Sequence, residues 1–154
     1  MRIPDCQTVV FCDTAAKCQT AAATLGTCPV LVLDCEGHNL GAAGGTLSVI
    51  VLRSATADAR TYLIDVPHLA PTALQPIVDL LRAPAIRKVV FDGRMHSSAL
   101  HHHALRAELH HVLDLQLVDV MSRFARGETW ATQRRRLRSF LKTDELHTRP
   151  RLYA

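Results

Sequence analysis

The run Val30-Leu31-Val32-Leu33 is unbroken in β-branched and aliphatic residues, and it ends at once in Asp34-Cys35-Glu36-Gly37. An apolar run this short predicts a strand covered on both faces, as in the middle of an α/β sheet. The two carboxylates stand two residues apart on the end of that strand, so both side chains leave the same face. Carboxylates converging in this way repel each other unless a cation sits between them. Hard divalent cations such as Mg²⁺ or Mn²⁺ take oxygen ligands of this kind. A solvated strand end is the other reading, because an Asp-x-Glu pattern alone is common.

The flanking sequence supplies the rest of a sheet. Thr8 to Cys12 reads as a strand. Asp13 or Thr14 caps a helix in which Ala15, Cys18, Ala22 and Leu25 recur at helical spacing, and Gly26 closes it. After the central run comes a Gly-rich connection (Gly37, Gly41, Gly44, Gly45), followed by strands over Thr46 to Arg53 and Thr61 to Val66. Three sequential strands joined in this way predict an antiparallel meander. Beyond Pro67 the period changes. Pro76 to Ala83 reads as a helix, with Ile77, Leu80 and Leu81 on one side and Pro76 tolerated in its first turn. Lys88 to Phe91 is a strand, Ser97 to Arg106 a helix, and Val112-Leu113 a short strand. Leu115 to Ala125 is a helix with Leu117, Val120, Met121 and Phe124 on one face. Alternating strands and helices imply crossovers and parallel pairing. The expected fold class is α/β, a mixed sheet of an antiparallel meander plus parallel strands, flanked by helices.

Charge divides the chain. Residues 1–122 hold 9 Lys/Arg against 11 Asp/Glu, and residues 123–154 hold 9 against 3, so the whole net charge of +4 comes from the last fifth. Arg123 to Lys142 contains Arg123, Arg126, Arg134, Arg135, Arg136, Arg138 and Lys142 against the single acid Glu128. This segment reads either as a phosphate-binding surface for single-stranded nucleic acid or as a solvated basic segment. Trp130 would stack a base in the first case and dock on protein in the second. The 154 residues fit one domain, which can bury a core without disulfides. With aromatics at 5%, that core must be filled by Val, Leu, Ile and Ala. The five cysteines (Cys6, Cys12, Cys18, Cys28, Cys35) form no Cys-x-x-Cys pair and are odd in number, which predicts a reduced, intracellular protein of cytoplasm or nucleus. No apolar run approaches the roughly 20 residues of a membrane span, and no signal-peptide stretch opens the chain. His101, His102 and His103 cannot converge on one ion, because consecutive helix residues point about 100° apart. With His110 and His111 they read as a solvated face.

The stretch from Val30 to Ser48, with Asp34-Cys35-Glu36-Gly37 and its Leu40-Gly41, Gly44-Gly45 and Leu47-Ser48 tail, resembles the first motif of the DEDD 3′–5′ exonuclease superfamily. It is most similar to the RNase D-like branch containing Egalitarian and the 3′–5′ exonuclease domain-containing proteins. Tyr62-Leu63-Ile64-Asp65-Val66 resembles that family's third strand, and Lys88 to Leu100 its second motif, where a strand meets the next helix. Leu109 to Gln116 resembles the element that follows, and Leu146-His147-Thr148-Arg149-Pro150 the stretch leading to the third motif. The resemblance covers nearly the whole chain, in order. It implies an RNase H-like fold and 3′-end hydrolysis of single-stranded RNA or DNA by two cations, Mg²⁺ or Mn²⁺. Asp34 and Glu36 carry over as first-motif metal ligands.

Two departures bear on activity. His96 stands where the family places its second-motif Asp. Imidazole accepts Mn²⁺ or Zn²⁺ but is a poor Mg²⁺ ligand, and it brings no negative charge. The third motif, a Tyr or His followed four residues later by Asp, does not arrive before Tyr153-Ala154, so the 154 residues read as a single exonuclease-like domain truncated before that motif. Asp144 lies upstream of the Arg-Pro element. Asp92 reads as a strand-end residue bonding local backbone, or as a substitute ligand. The expected catalytic residues are Asp34, Glu36 and His96. The expected nucleic-acid contacts are Arg94, Arg134, Arg135, Arg136 and Arg138. The alternative is a degenerate, inactive exonuclease-like module that binds RNA or a protein partner.

Overall fold

The apolar run and the acidic residues after it form one continuous strand, β2 (Val30–Glu36), in a computed structural model that describes residues 9–56, 60–103 and 105–129. The other strands are β1 (Val9–Cys12), β3 (Val49–Ser54), β4 (Thr61–Asp65), β5 (Arg87–Val90) and β6 (Val112–Asp114). They lie in the order β1-β4-β3-β2-β5-β6. Short connections make β2, β3 and β4 an antiparallel meander. Parallel pairing joins β1 to β4, β2 to β5 and β5 to β6. The helices are α1 (Ala15–Leu25), α2 (Pro71–Arg82), α3 (Gly93–His102) and α4 (Leu115–Ala125). The expected mixed sheet with flanking helices is present, and β2 sits inside it, antiparallel on one side and parallel on the other.

The expectation that β2 is covered on both faces is corrected. Leu31, Leu33 and Cys35 are buried, while Val32 is 43% exposed and Asp34 and Glu36 are exposed. Register carries this division across the sheet. Leu33 pairs with Leu52 and Cys35 with Ile50, whereas Asp34 pairs with Val51, and Val51 with Leu63. The buried residues share one core with Cys18, Ala21 and Leu25 of α1 and Leu74, Ile77, Val78, Leu80 and Leu81 of α2. Among the described residues the opposite face stays accessible, with Phe11 48% and Leu113 36% exposed. Val30 and Val32 make the run look unbroken, but they belong to the accessible face, because successive side chains of a strand alternate.

Three elements also differ from expectation at their ends. Helix α2 begins at Pro71, whose missing N–H costs nothing in a first turn, so Pro76 lies in the helix interior, where it removes one backbone bond. Helix α3 begins at Gly93 and ends at His102, not at Ser97 and Arg106. Its start is set by a distant carboxylate, described below. Strand β3 begins at Val49 because the residues before it return tightly across the end of β2. Thr46 N–H donates to the His38 carbonyl at 2.9 Å and Ser48 N–H to the Glu36 carbonyl at 2.8 Å. A Cβ on Gly37 would lie 1.9 Å from the Thr46 carbonyl oxygen, so only glycine fits this crossing.

Two buried groups complete the core. Lys88 on β5 is fully buried, and its Nζ donates to the Ala83 carbonyl at 2.7 Å. Burial holds its pKa below the usual lysine value. Cys12, Cys18 and Cys35 are buried free thiols, and Cys28 is half-buried. Burial, and secondarily the charges of neighbouring residues, pushes the Cys12 thiol up to about 11 and the Cys35 thiol to about 12. Alkylation at pH 8 is therefore expected to label Cys28 first among the described cysteines. Labelling of Cys35 should require denaturant, as peptide mass spectrometry would read directly.

The chain divides into two units after Gln116. The first holds the sheet and α1 to α3. In the second, described to residue 129, α4 buries none of its side chains, and Leu117 and Met121 are 61% and 67% exposed. Arg123 pairs with Asp119 one turn back at 2.8 Å. Among the described residues no helix is long and apolar enough to cross a membrane.

Candidate active site

The pleat of β2 places Asp34 and Glu36 on the accessible face, at the strand end that feeds the tight return over Gly37. On the other side of the same strand, Cys35 faces the core, and after burial the two carboxylates are the next cause of its raised pKa. The acidic pair thus creates a negative field that a cation or a donor must offset.

Helix α3 supplies the facing group. His96 is 8% exposed, and its Nε2 lies 3.3 Å from Asp34 Oδ1. The same nitrogen lies 3.2 Å from the Phe91 carbonyl oxygen. Its Nδ1 is buried without a hydrogen-bond partner. The structure therefore brings Asp34 and His96 together, with Glu36 two residues along the same strand face.

The position of His96 depends on Asp114, a residue the sequence did not single out as functional. Asp92 adopts a left-handed backbone (φ +54°) before α3 begins. Asp114 at the end of β6 accepts from Asp92 N–H at 3.2 Å, from Gly93 N–H at 2.8 Å and from Gln116 N–H at 2.9 Å. One carboxylate so anchors the first turn of α3, and a negative charge there also suits the helix N-terminus. Asp92 contributes its backbone N–H to this arrangement, and its side chain makes no capping hydrogen bond. Asp114→Ala should cost roughly 1–3 kcal/mol, since it strands buried N–H groups. Denaturant unfolding and faster amide exchange at Gly93 would report it. The only sequence signal for this role was the position of Asp114 beside a short strand.

Farther along, Ala99 lies on α3 and His103 is the extended residue that closes it. They line a cleft of about 370 Å³ together with Gly41, Gly45, Thr46, Leu47 and Pro67. Ser98 Oγ ties the helix to this loop by donating to the Gly41 carbonyl at 2.8 Å. The cleft was not legible in the sequence, because its walls come from a loop and a helix more than fifty residues apart.

The remaining expected residues are more dispersed. Arg94 is exposed on the first turn of α3. Arg134, Arg135, Arg136, Arg138 and Trp130 lie outside the described residues. His101 and His102 are exposed, with rings in edge contact at 5.3 Å. His111 is bound to the Pro84 carbonyl at 2.9 Å.

Among the described residues no three His, Cys, Asp or Glu side chains cluster as a metal site. Asp34 and Glu36 are the described carboxylates that could hold one hard cation, whose other ligands would have to come from elsewhere. The described residues do not fit a pair of cations. Imidazole replaces the further carboxylate, and its one nitrogen near Asp34 is already engaged.

No family model matches the chain, and no curated protein matches it. Solved structures do. RNase D of Trypanosoma brucei in complex with RNA U12 is 28% identical over 70% of this chain and 37% of that one, with a TM-score of 0.61. The Nibbler EXO domain of Aedes aegypti is 21% identical over 81% of this chain and 61% of that one, at 0.66. The EXD2 exonuclease domain soaked in Mg is 23% identical over 76% and 61%, at 0.60. The match spans little more than a third of the RNase D chain.

Proposed function

We propose that the chain, whose fold is similar to solved 3′–5′ exonuclease structures, is a DEDD 3′–5′ exonuclease domain that binds the 3′ end of single-stranded nucleic acid and hydrolyses the terminal phosphodiester. The observation that carries this reading is the pairing of Asp34 and Glu36 on the accessible face of β2 with His96 held opposite Asp34. RNase D has been crystallised with RNA U12 and with GMP, and the EXD2 domain with Mg and with Mn and GMP, which supports a nucleotide ligand and a divalent cation here.

Asp34 and Glu36 would hold the cation, which supplies Lewis-acid polarisation of a phosphate oxygen when bound. The chain's own residues position the substrate. The cleft beside Gly41 and Ala99 receives the terminal nucleotide, and its partly apolar walls suit a sugar and base. The dense positive charge of Arg123 to Lys142 supplies phosphate contacts, so binding weakens as salt rises.

The test is a time course on 5′-labelled single-stranded RNA and DNA in Mg²⁺ and in Mn²⁺. Ladders shortened from the 3′ end support the reading. Salt-sensitive binding without shortening in either metal would leave the second reading, a nucleic-acid-binding module without hydrolysis. The engagement of Asp34 by His96 is the observation in its favour.

A further inference from the structure

We propose that His96 turns a hydrogen-bearing Nε2, and not a lone pair, toward the acidic pair, and that it thereby restricts the centre to one cation. This rests on the reading that Asp34 and Glu36 face a cation and the substrate.

The argument is one of hydrogen placement. His96 Nε2 sits 3.2 Å from the Phe91 carbonyl oxygen and 3.3 Å from Asp34 Oδ1. A carbonyl and a carboxylate are acceptors only. A ring nitrogen that turned a lone pair toward both oxygens would be repelled by both. Nε2 therefore carries its hydrogen and donates it to the Phe91 carbonyl, with Asp34 Oδ1 close beside it. A nitrogen bearing a hydrogen has no lone pair for a metal.

The other ring nitrogen leads to the same conclusion. A histidine that ligates a metal through one nitrogen donates its second N–H to a fixed acceptor. Nδ1 of His96 is buried and has no partner, so the support expected of a ligand is missing. A buried N–H without an acceptor would cost the full desolvation of that group. Nδ1 is unsatisfied in either tautomer, so it argues only against a metal-bound His96 and does not by itself place the hydrogen.

The ring is not free to swing away. The start of α3 is tied to Asp114 through Gly93 N–H, and its middle to Gly41 through Ser98. An imidazole that offers no lone pair thus stands beside Asp34, and His96 adds no ligand for a second cation.

The experiment needs no nucleic acid, so its outcome is separate from whether the chain trims ends. Nitrogen-15 NMR of the His96 ring, at a single pH and without metal, is expected to show the hydrogen on Nε2. Titration calorimetry with MnCl₂ and with MgCl₂ is expected to give at most one cation per wild-type chain. His96→Asp removes the donor and adds a carboxylate. It should raise cation affinity by about tenfold or more and the stoichiometry toward two. His96→Gln, whose side-chain amide nitrogen reaches the place of Nε2 and can donate an N–H, should leave wild-type binding nearly unchanged and controls for folding. Hydrogen on Nδ1 alone, or loss of Mn²⁺ binding in His96→Gln, would identify His96 as a ligand and overturn the proposal.

Discussion

Asp34→Ala is expected to lower 3′ trimming by at least about 10²-fold, a loss typical of removing one charged or polar group that acts directly on the reacting phosphate. Asp34 is more than half exposed at its side chain, and its neighbours on the accessible face are Val32 and Glu36, so the substitution leaves the core intact. Unfolding temperature should stay within a degree or two while activity collapses. Glu36→Ala should behave alike. Activity retained by both variants would remove this face from the chemistry. Activity lost together with the fold would show that the carboxylates hold the strand end. The measurement pairs the labelled 3′-trimming assay with a thermal melt of each variant.

Leu33→Ala is expected to destabilise the fold by about 2–5 kcal/mol, while Val32→Ala on the same strand should cost less than about 1 kcal/mol. Both are aliphatic, adjacent and central, and hydropathy alone does not separate them. Leu33 is 2% exposed, pairs with Leu52 and packs into the core shared with α1 and α2. Removing its side chain leaves a cavity that close-packed neighbours fill only in part. Val32 is 43% exposed, and its truncation returns little surface to water. Urea unfolding of the two variants reads the difference directly. Equal losses would mean that both faces of β2 are covered.

The element order was legible because each segment announces itself locally. Helical spacing over Leu115 to Ala125 and the capping Thr14 of α1, whose Oγ1 accepts from Lys17 N–H at 3.4 Å, need no tertiary contact to be seen. The acidic pair was legible for a similar reason, since residues two apart on a strand share a face wherever that strand lies. The faces of β2 were not legible. Valines fill its accessible face, and the pattern does not record which side the helices cover. The start of α3 was misplaced because its anchor, Asp114, lies twenty-one residues away.

The sequence by itself determined the mixed sheet, the placing of Asp34 and Glu36 on one strand face, and the substitution of His96 in the resembling motif. The first two follow from periodicity and spacing along the chain, and the third from the resemblance. The tertiary structure alone decided what His96 does. Only when α3 is tied down by Asp114 and Ser98 does Nε2 come to rest between the Phe91 carbonyl and Asp34. Whether an imidazole offers a lone pair or a hydrogen depends on the atoms around it in space, and those atoms come from separate stretches of the chain.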